Sequence, residues 1–389
     1  MHTGRIAFTQ LMDFLPKHEF NRCVRRYQGN RRVRRFSCLD QFLCMAFAQL
    51  TYRESLRDIE TCLRAMQPKL YHAGFRGAIC RSTLADANEL RDWRIYADLA
   101  AVLIAQARKL YLNEDFAVDL DQTAYAFDST TVDLCLSLFP WAQFRRRKSA
   151  VKLHTLIDLR GNIPCFVHVS SGRVADMTVL DLLPIEAGAF YVMDRGYTDF
   201  ERLHRFTQGL AFFIIRAKCD LDYVRRSCQE VDKTAGLRSD NTILLCGPKS
   251  SQRYPEPLRR ISYYAADIDK RFVFLTNNFA LPALTICQLY KCRWQVELFF
   301  KWIKHYLRIK AFYGTSINAV KTQVWIAVCV YVLVAVVKKE LGLERSLGEI
   351  LQILSISLFE KTPILQAFSH ECTIMDNITI HNQLSLFEF

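Results

Sequence analysis

The sequence predicts a mixed α/β fold in which a strand-rich centre is flanked by helical stretches. Three observations carry this. Residues 1 to about 115 show helical periodicity and no convincing strand. From about 120, β-branched and aromatic runs bounded by turn residues take over. Beyond Ala311 the pattern is helical again to about 368. The 389 residues are 51% apolar, which gives a sizeable core and excludes a largely disordered chain.

The N-terminal helical region, 1–115, carries its charge unevenly. Within residues 1 to 50, nine Lys and Arg face three Asp and Glu. NRCVRRYQGNRRVRRF holds seven arginines: Arg22, Arg25, Arg26, Arg31, Arg32, Arg34 and Arg35. A charge run is commonly a solvated face. An all-arginine run broken by Tyr27 and a Gly29-Asn30 turn also suits phosphate contacts with stacking, so DNA binding is expected here. A helix-turn-helix fits between Ser55 and Arg91.

The centre, 116–310, opens with three strands, YAFDSTTVDL, VKLHTLIDL and IPCFVHVSS, the last two joined by an Arg160-Gly161-Asn162 turn. A short helical piece, DMTVLDLLP, follows. Next come the strand AFYVMDRGY, the helix TDFERLHRFTQ and the strand AFFIIRAK. An antiparallel start followed by parallel strands reached through helices is the order of a ribonuclease-H-like core. Residues 218–282 read as a β-rich insertion, with NTILLC, RISYYAAD and KRFVFLTNN as strands, and 283–310 as a helix. A helical region, 311–380, and a tail, 381–389, complete the chain.

In YKCRWQVELFFKWIK, residues 290 to 304, helical geometry puts Tyr290, Arg293 and Lys304 at about +20°, −40° and −20° from Glu297. Trp294, Leu298, Phe299, Phe300, Trp302 and Ile303 fill the other sides, so most of the helix is expected to be covered by protein. A salt-bridge network on a half-exposed helix would also produce such a stripe. The other acids favour chemistry. Asp128 lies inside the first core strand and Asp194 ends the fourth, and these strands are neighbours in such a sheet. Three converging carboxylates repel and call for a cation. Magnesium, or manganese, takes oxygen ligands and phosphate oxygens, and two such ions support in-line phosphoryl transfer. Asp133, Asp158 and Asp176 are rival acids, while His154 and His168 read as satisfied core histidines.

Lys plus Arg exceed Asp plus Glu by 52 − 39 = 13, and this favours a polyanion partner. No membrane role is expected, because the longest apolar run, Val324 to Val337, is 14 residues. The N-terminus lacks the apolar core of a signal peptide. Fourteen scattered cysteines without a C-x-x-C pair read as free, buried thiols, several in apolar runs (Cys44, Cys165, Cys246, Cys329).

Tyr290, Arg293, Glu297 and Lys304 meet the pattern Y-x2-R-x3-E-x6-K, which resembles the signature of the YREK (IS-four) family of bacterial insertion-sequence transposases. AFDST around Asp128 and MDRGY from Met193 to Tyr197 resemble that family's other catalytic blocks, and FTQLMDFLPKHEF resembles its leading helical domain. The resemblance implies a DDE transposase in which Asp128, Asp194 and Glu297 bind Mg2+ or Mn2+ and drive cleavage and strand transfer at the element's terminal inverted repeats. It implies DNA contacts by Tyr290, Arg293 and Lys304, by Arg195 and Tyr197, and by a basic loop with Arg145, Arg146, Arg147, Lys148 and Lys152. It also implies a homodimer on double-stranded DNA, including target DNA, and a cytoplasmic, nucleoid-associated location. One departure concerns a Trp that a studied relative uses within the β insertion to hold a flipped base. Here Trp occurs at 93, 141, 294, 302 and 325, outside 218–282, leaving Tyr223, Tyr254, Tyr263 or Tyr264 for that task. Gln383, Leu384, Ser385, Leu386 and Phe387 resemble the peptide that docks on the replication sliding clamp. The alternatives are a nuclease on the same core that cuts without joining, and an inactive DNA-binding protein.

Overall fold

The computed structural model describes residues 4–369, apart from 115, 117, 136, 146, 147, 219 and 307–311. Seven helices come first: α1 (Ala7–Met12), α2 (Lys17–Arg26), α3 (Cys38–Leu50), α4 (Leu56–Ala65), α5 (Gln67–Leu70), α6 (Arg81–Leu90) and α7 (Arg94–Leu110). Local chemistry starts them. Ser37 Oγ accepts from the Asp40 N–H while the Asp40 carboxylate accepts from the Ser37 N–H, a capping box that opens α3. Ser55 caps α4 with a single bond, its Oγ accepting from the Asp58 N–H.

The sheet follows. β1 (Ala124–Leu134), β2 (Gln143–Arg145), β3 (Lys148–Asp158) and β4 (Ile163–Ser171) precede β5 (Phe190–Met193), α8 (Phe200–Gln208) and β6 (Phe212–Arg216). β1 pairs antiparallel with β3 and β3 with β4, whereas β1–β5 and β5–β6 are parallel. The spatial order β4-β3-β1-β5-β6 thus places the first strand between the second and the fourth of the five long ones. The turn from β3 to β4 uses positive φ at Gly161 (+73°) and Asn162 (+56°). A Cβ on Gly161 would lie 2.2 Å from the Tyr111 ring, so both conformation and space require glycine. The short helical piece expected over 176–184 is a 3-10 helix, Asp176–Leu182.

The segment read as an insertion extends this sheet. β7 (Tyr223–Gln229), β8 (Leu237–Leu245), α9 (Ser250–Arg253), β9 (Leu258–Ala265) and β10 (Lys270–Thr276) follow β6, and β10 pairs antiparallel with β6. The order continues β6-β10-β9-β8-β7, so ten strands form one sheet that ends at β7. β7 is exposed along most of its length, and its register with β8 shifts between Arg225 and Ser227.

Helices α10 (Ala283–Cys292) and α11 (Trp294–Tyr306) occupy the stretch read as one helix. Arg293 is the joint. Its N–H bonds the Tyr290 carbonyl and its own carbonyl accepts from Val296, a tightened i to i+3 turn.

α12 (Ile317–Glu340), α13 (Leu347–Ser357) and α14 (Ile364–Ser369) complete the described chain. α12 is 24 residues, because Ser316 caps it eight residues ahead of Val324, where the apolar run begins. Its length and composition would suffice to cross a bilayer, but 89% of its most apolar window is buried inside the fold. It packs against α7 and α3, with Tyr111 Oη donating to the Ala335 carbonyl (2.9 Å) and Gln49 Nε2 to the Gln323 carbonyl (3.1 Å). The Ala7 and Phe8 amides bond the Glu360 and Leu358 carbonyls, so helices from both ends of the chain share one core.

Candidate active site

Strand register assembles the first two acids. In the parallel β1–β5 pair, Phe127 lies opposite Met193. Asp128 and Asp194 are the next residues on each chain, one strand spacing apart at the point where β5 stops and β1 runs on beside β3 alone. All four residues of β5 are buried, which fixes where Asp194 emerges.

α10 and α11 cross this point and present the third acid with three donors. Tyr290 Oη donates to Asp194 Oδ1 at 3.3 Å. Arg293 Nη1 donates to Asp128 Oδ2 at 2.8 Å and Nη2 to Glu297 Oε1 at 2.5 Å. Lys304 Nζ bonds Thr130 Oγ1 and, at 2.9 Å, the Thr131 carbonyl of β1. The stripe expected from helical geometry therefore faces the strands that carry the two aspartates. Asp158 pairs instead with Arg108 (3.1 Å), and Asp133 is exposed near the end of β1.

The site is electrostatically crowded. Burial pushes the Asp128 carboxyl up to about 6, opposed by the Ser129 amide and Arg293, with the Asp194 and Glu297 charges raising it further. That the other two acids act on Asp128 marks the three as one electrostatic group. Among the described residues, no set of three His, Cys, Asp or Glu side chains is positioned to hold a metal ion, and the Arg293 guanidinium bonds both Asp128 and Glu297. The donor set itself, three carboxylates whose mutual repulsion is answered by a cation, fits a hard divalent ion.

The family model described as "Transposase DDE domain" matches residues 119–333, which contain all three acids. The chain belongs to the DDE transposases. A domain of unknown function, DUF4372, matches residues 3–76. The transposase y4zB of Sinorhizobium fredii is 31% identical over 285 residues, covering 72% of this chain and 78% of that protein. A transposase for insertion sequence element IS5377 of Geobacillus stearothermophilus is 32% identical over 207 residues, 53% and 54% of the two chains. One for element IS4SA of Synechocystis is 23% identical over 367 residues, 90% and 95%. A piggyBac transposase synaptic complex with hairpin DNA aligns at TM-score 0.46 and 10% identity, covering 94% and 82%, too distant to assign anything further. This DDE transposase is thus an enzyme of DNA transposition, of a family that depends on divalent metal and acts on DNA.

Behind β1 the transposase carries a second polar cluster. Ser129 Oγ donates to Asp176 Oδ1 at 2.9 Å, and Lys152 Nζ lies 3.1 Å from the same oxygen. Lys152 is therefore an anchored side chain and no solvated loop residue. His154 is fully buried, with Nε2 bonded to Ser170 at 2.9 Å. Its Nδ1 has no hydrogen-bond partner and stands 3.7 Å from Asp176, so it is only half satisfied.

Three other expectations need correction. Tyr197 cannot meet a DNA phosphate: it is 3% exposed and packs edge-on against Phe127 at 5.1 Å. Trp294 and Leu298 are 56% and 41% exposed, so α11 is less covered than its apolar count suggests. Cys246 is exposed despite its apolar run. Trp294 instead helps line a cavity of about 380 Å³ beside the acids, with Tyr263, Phe272, Tyr290, Lys291 and Arg293. The sequence reading missed this cavity, because its walls come from β9, β10 and α10–α11 and share no local motif. Tyr254 is buried, while Tyr264 bonds Asp269 and Tyr223 lies under Arg260.

Arg195 is exposed at the catalytic edge. Arg25, Arg31, Arg32, Arg34 and Arg35 are exposed, and Arg26, also exposed, pairs with Asp98. Arg146, Arg147 and residues 383–387 lie outside the described residues, as do the side chains of Arg145 and Lys148.

Proposed function

We propose that this transposase belongs to the YREK-signature (IS-four) group, that its sheet is built on a ribonuclease-H-like core, and that it cleaves and joins DNA at its element's terminal inverted repeats. The observation that carries the reading is the β1–β5 register, which ends at Phe127 opposite Met193 with Asp128 and Asp194 next in sequence, together with the helix pair whose Tyr290 and Arg293 bond Asp194, Asp128 and Glu297. Asp128, Asp194 and Glu297 would hold Mg2+ or Mn2+. When bound there, such ions activate a water or 3′-hydroxyl and neutralise the leaving oxygen of an in-line displacement.

The remaining groups orient DNA. Arg293 and Lys304 supply forked and point-charge donors for phosphates flanking the reacting bond. Tyr290 holds Asp194 in place from the side away from β1. The aromatic cavity with Trp294 and Tyr263 suits an unstacked base. The exposed N-terminal arginines contact duplex phosphates away from the chemistry, and a homodimer brings two ends together. The peptide Gln383–Phe387 would dock on the sliding clamp, and deleting 383–389 should abolish clamp binding while leaving cleavage intact.

The deciding experiment uses a labelled duplex carrying the DNA that flanks the gene, with Mg2+ or Mn2+. Wild type should nick the end and join it to target. Glu297→Gln should bind the same duplex but cut at least about a thousandfold more slowly, the loss for several kcal/mol of charge stabilisation. Cutting without joining would replace this reading with a nuclease. Binding without cutting in the wild type would leave a DNA-binding protein.

A further inference from the structure

Arg293 stands where the three acids need a cation. Its fork spans Asp128 at 2.8 Å and Glu297 at 2.5 Å, and the three side chains are 17%, 21% and 34% exposed. The fork takes one oxygen of each carboxylate, and its positive charge opposes a divalent ion drawn to the same pair. We propose that in the DNA-free protein Arg293 occupies the space between Asp128 and Glu297, and that a DNA phosphate, by drawing the guanidinium away, opens that space to the ion. This rests on the reading of Asp128, Asp194 and Glu297 as the metal-holding acids.

The energetics make the two events cooperative. Arg293 leaving alone strands two partly buried carboxylates beside a third, which is costly. An ion arriving alone must displace two charge-assisted bonds, one to each carboxylate. Phosphate plus ion satisfies every group: the fork moves from carboxylates to phosphate, and the ion replaces it. Arg293 is suited to move, because it sits at the tightened turn between α10 and α11 and not within either helix. Lys304 is tied to Thr130 and to the Thr131 carbonyl of β1. By linkage, the ion must tighten DNA binding by the factor by which DNA tightens ion binding.

The test reads ion binding without turnover: Mn2+ titrated into DNA-free protein and followed by loss of its free-ion electron-paramagnetic signal. Arg293→Gln should bind Mn2+ at least about fivefold tighter than wild type. Arg293→Lys, which keeps the charge but loses the fork, should also gain. Adding the flanking-DNA duplex should tighten wild type by a similar factor and Arg293→Gln very little. Unchanged Mn2+ affinity in both variants overturns the proposal. So does a gain confined to Arg293→Gln, which would be charge alone. Glu297→Gln added to Arg293→Gln separates the layers: if it leaves Mn2+ affinity unchanged, the acids are not the metal site, and the underlying reading fails.

Discussion

Asp240 and Arg259 form an ion pair sealed inside the sheet, with Arg259 Nη2 2.7 Å from Asp240 Oδ2 and each side chain 4% exposed. Arg259 also donates to the carbonyls of Leu281 (2.6 Å) and Asn278 (3.4 Å), in the loop that leads into α10. The pair therefore ties β8 and β9 to the start of the helix that carries Tyr290. Asp240→Asn leaves a buried guanidinium without its counter-charge and should cost about 3–5 kcal/mol, read by urea unfolding. A loss below about 1 kcal/mol would mean that the sheet relaxes around the site.

His154 should make stability pH-dependent. Burial pushes its imidazole from 6.5 down to about 4, with Asp176 opposing the shift and His168 and Lys152 adding to it. A depressed histidine value means that the unfolded chain takes up the proton first. The contribution is thus full above about pH 6.5 and is lost as pH falls towards 4, amounting to about 3 kcal/mol. Between about pH 7 and pH 5, wild type should lose more stability than His154→Asn, measured by denaturant unfolding at each pH. Parallel losses would show that other groups dominate.

Tyr290 combines two roles that substitution can separate. Its ring lies 4.6 Å from that of Phe274, whereas its hydroxyl bond to Asp194 is long at 3.3 Å. Tyr290→Phe should cost about 1 kcal/mol or less. Tyr290→Ala removes the ring from the cavity wall and should cost about 3 kcal/mol. Thermal unfolding of the two variants checks the ranking, and equal losses would place the weight on the hydroxyl.

The N-terminal arginines should act through charge alone. Replacing Arg31, Arg32, Arg34 and Arg35 by alanine removes exposed side chains, so stability should change by no more than about 0.5 kcal/mol per site. If all four contact phosphates, the slope of log affinity against log salt should fall by about 3 to 4 for duplex DNA of any sequence. An unchanged slope would leave this run as a solvated face.

The acids were legible in sequence because each sits on a regular element or directly at its end. Alternation placed Asp128 in a strand, an apolar run ended at Asp194, and the 3.6-residue period aligned Glu297 with its basic neighbours. What escaped has physical causes too. β7 is polar and exposed along most of its length, so it lacks the apolar alternation that marks a strand. The join between β6 and β10 is a long-range pairing with no local signature, and it makes a segment that looks like an appendage part of the main sheet. Tyr197 lies in a polar-looking motif, yet its ring turns into the core. Trp294 and Leu298 show the converse: apolar identity does not decide which side of a helix receives cover.

An open sheet of ten strands must stop somewhere, and an unpaired strand invites a second molecule to continue it. Here the outermost strand has seven residues, an irregular register at Arg226, and adjacent arginines at 225 and 226. A bulge and like charges each discourage edge-to-edge stacking of identical copies. Replacing that arginine pair with valines would leave the chemistry untouched yet turn a guarded border into a template for fibre growth.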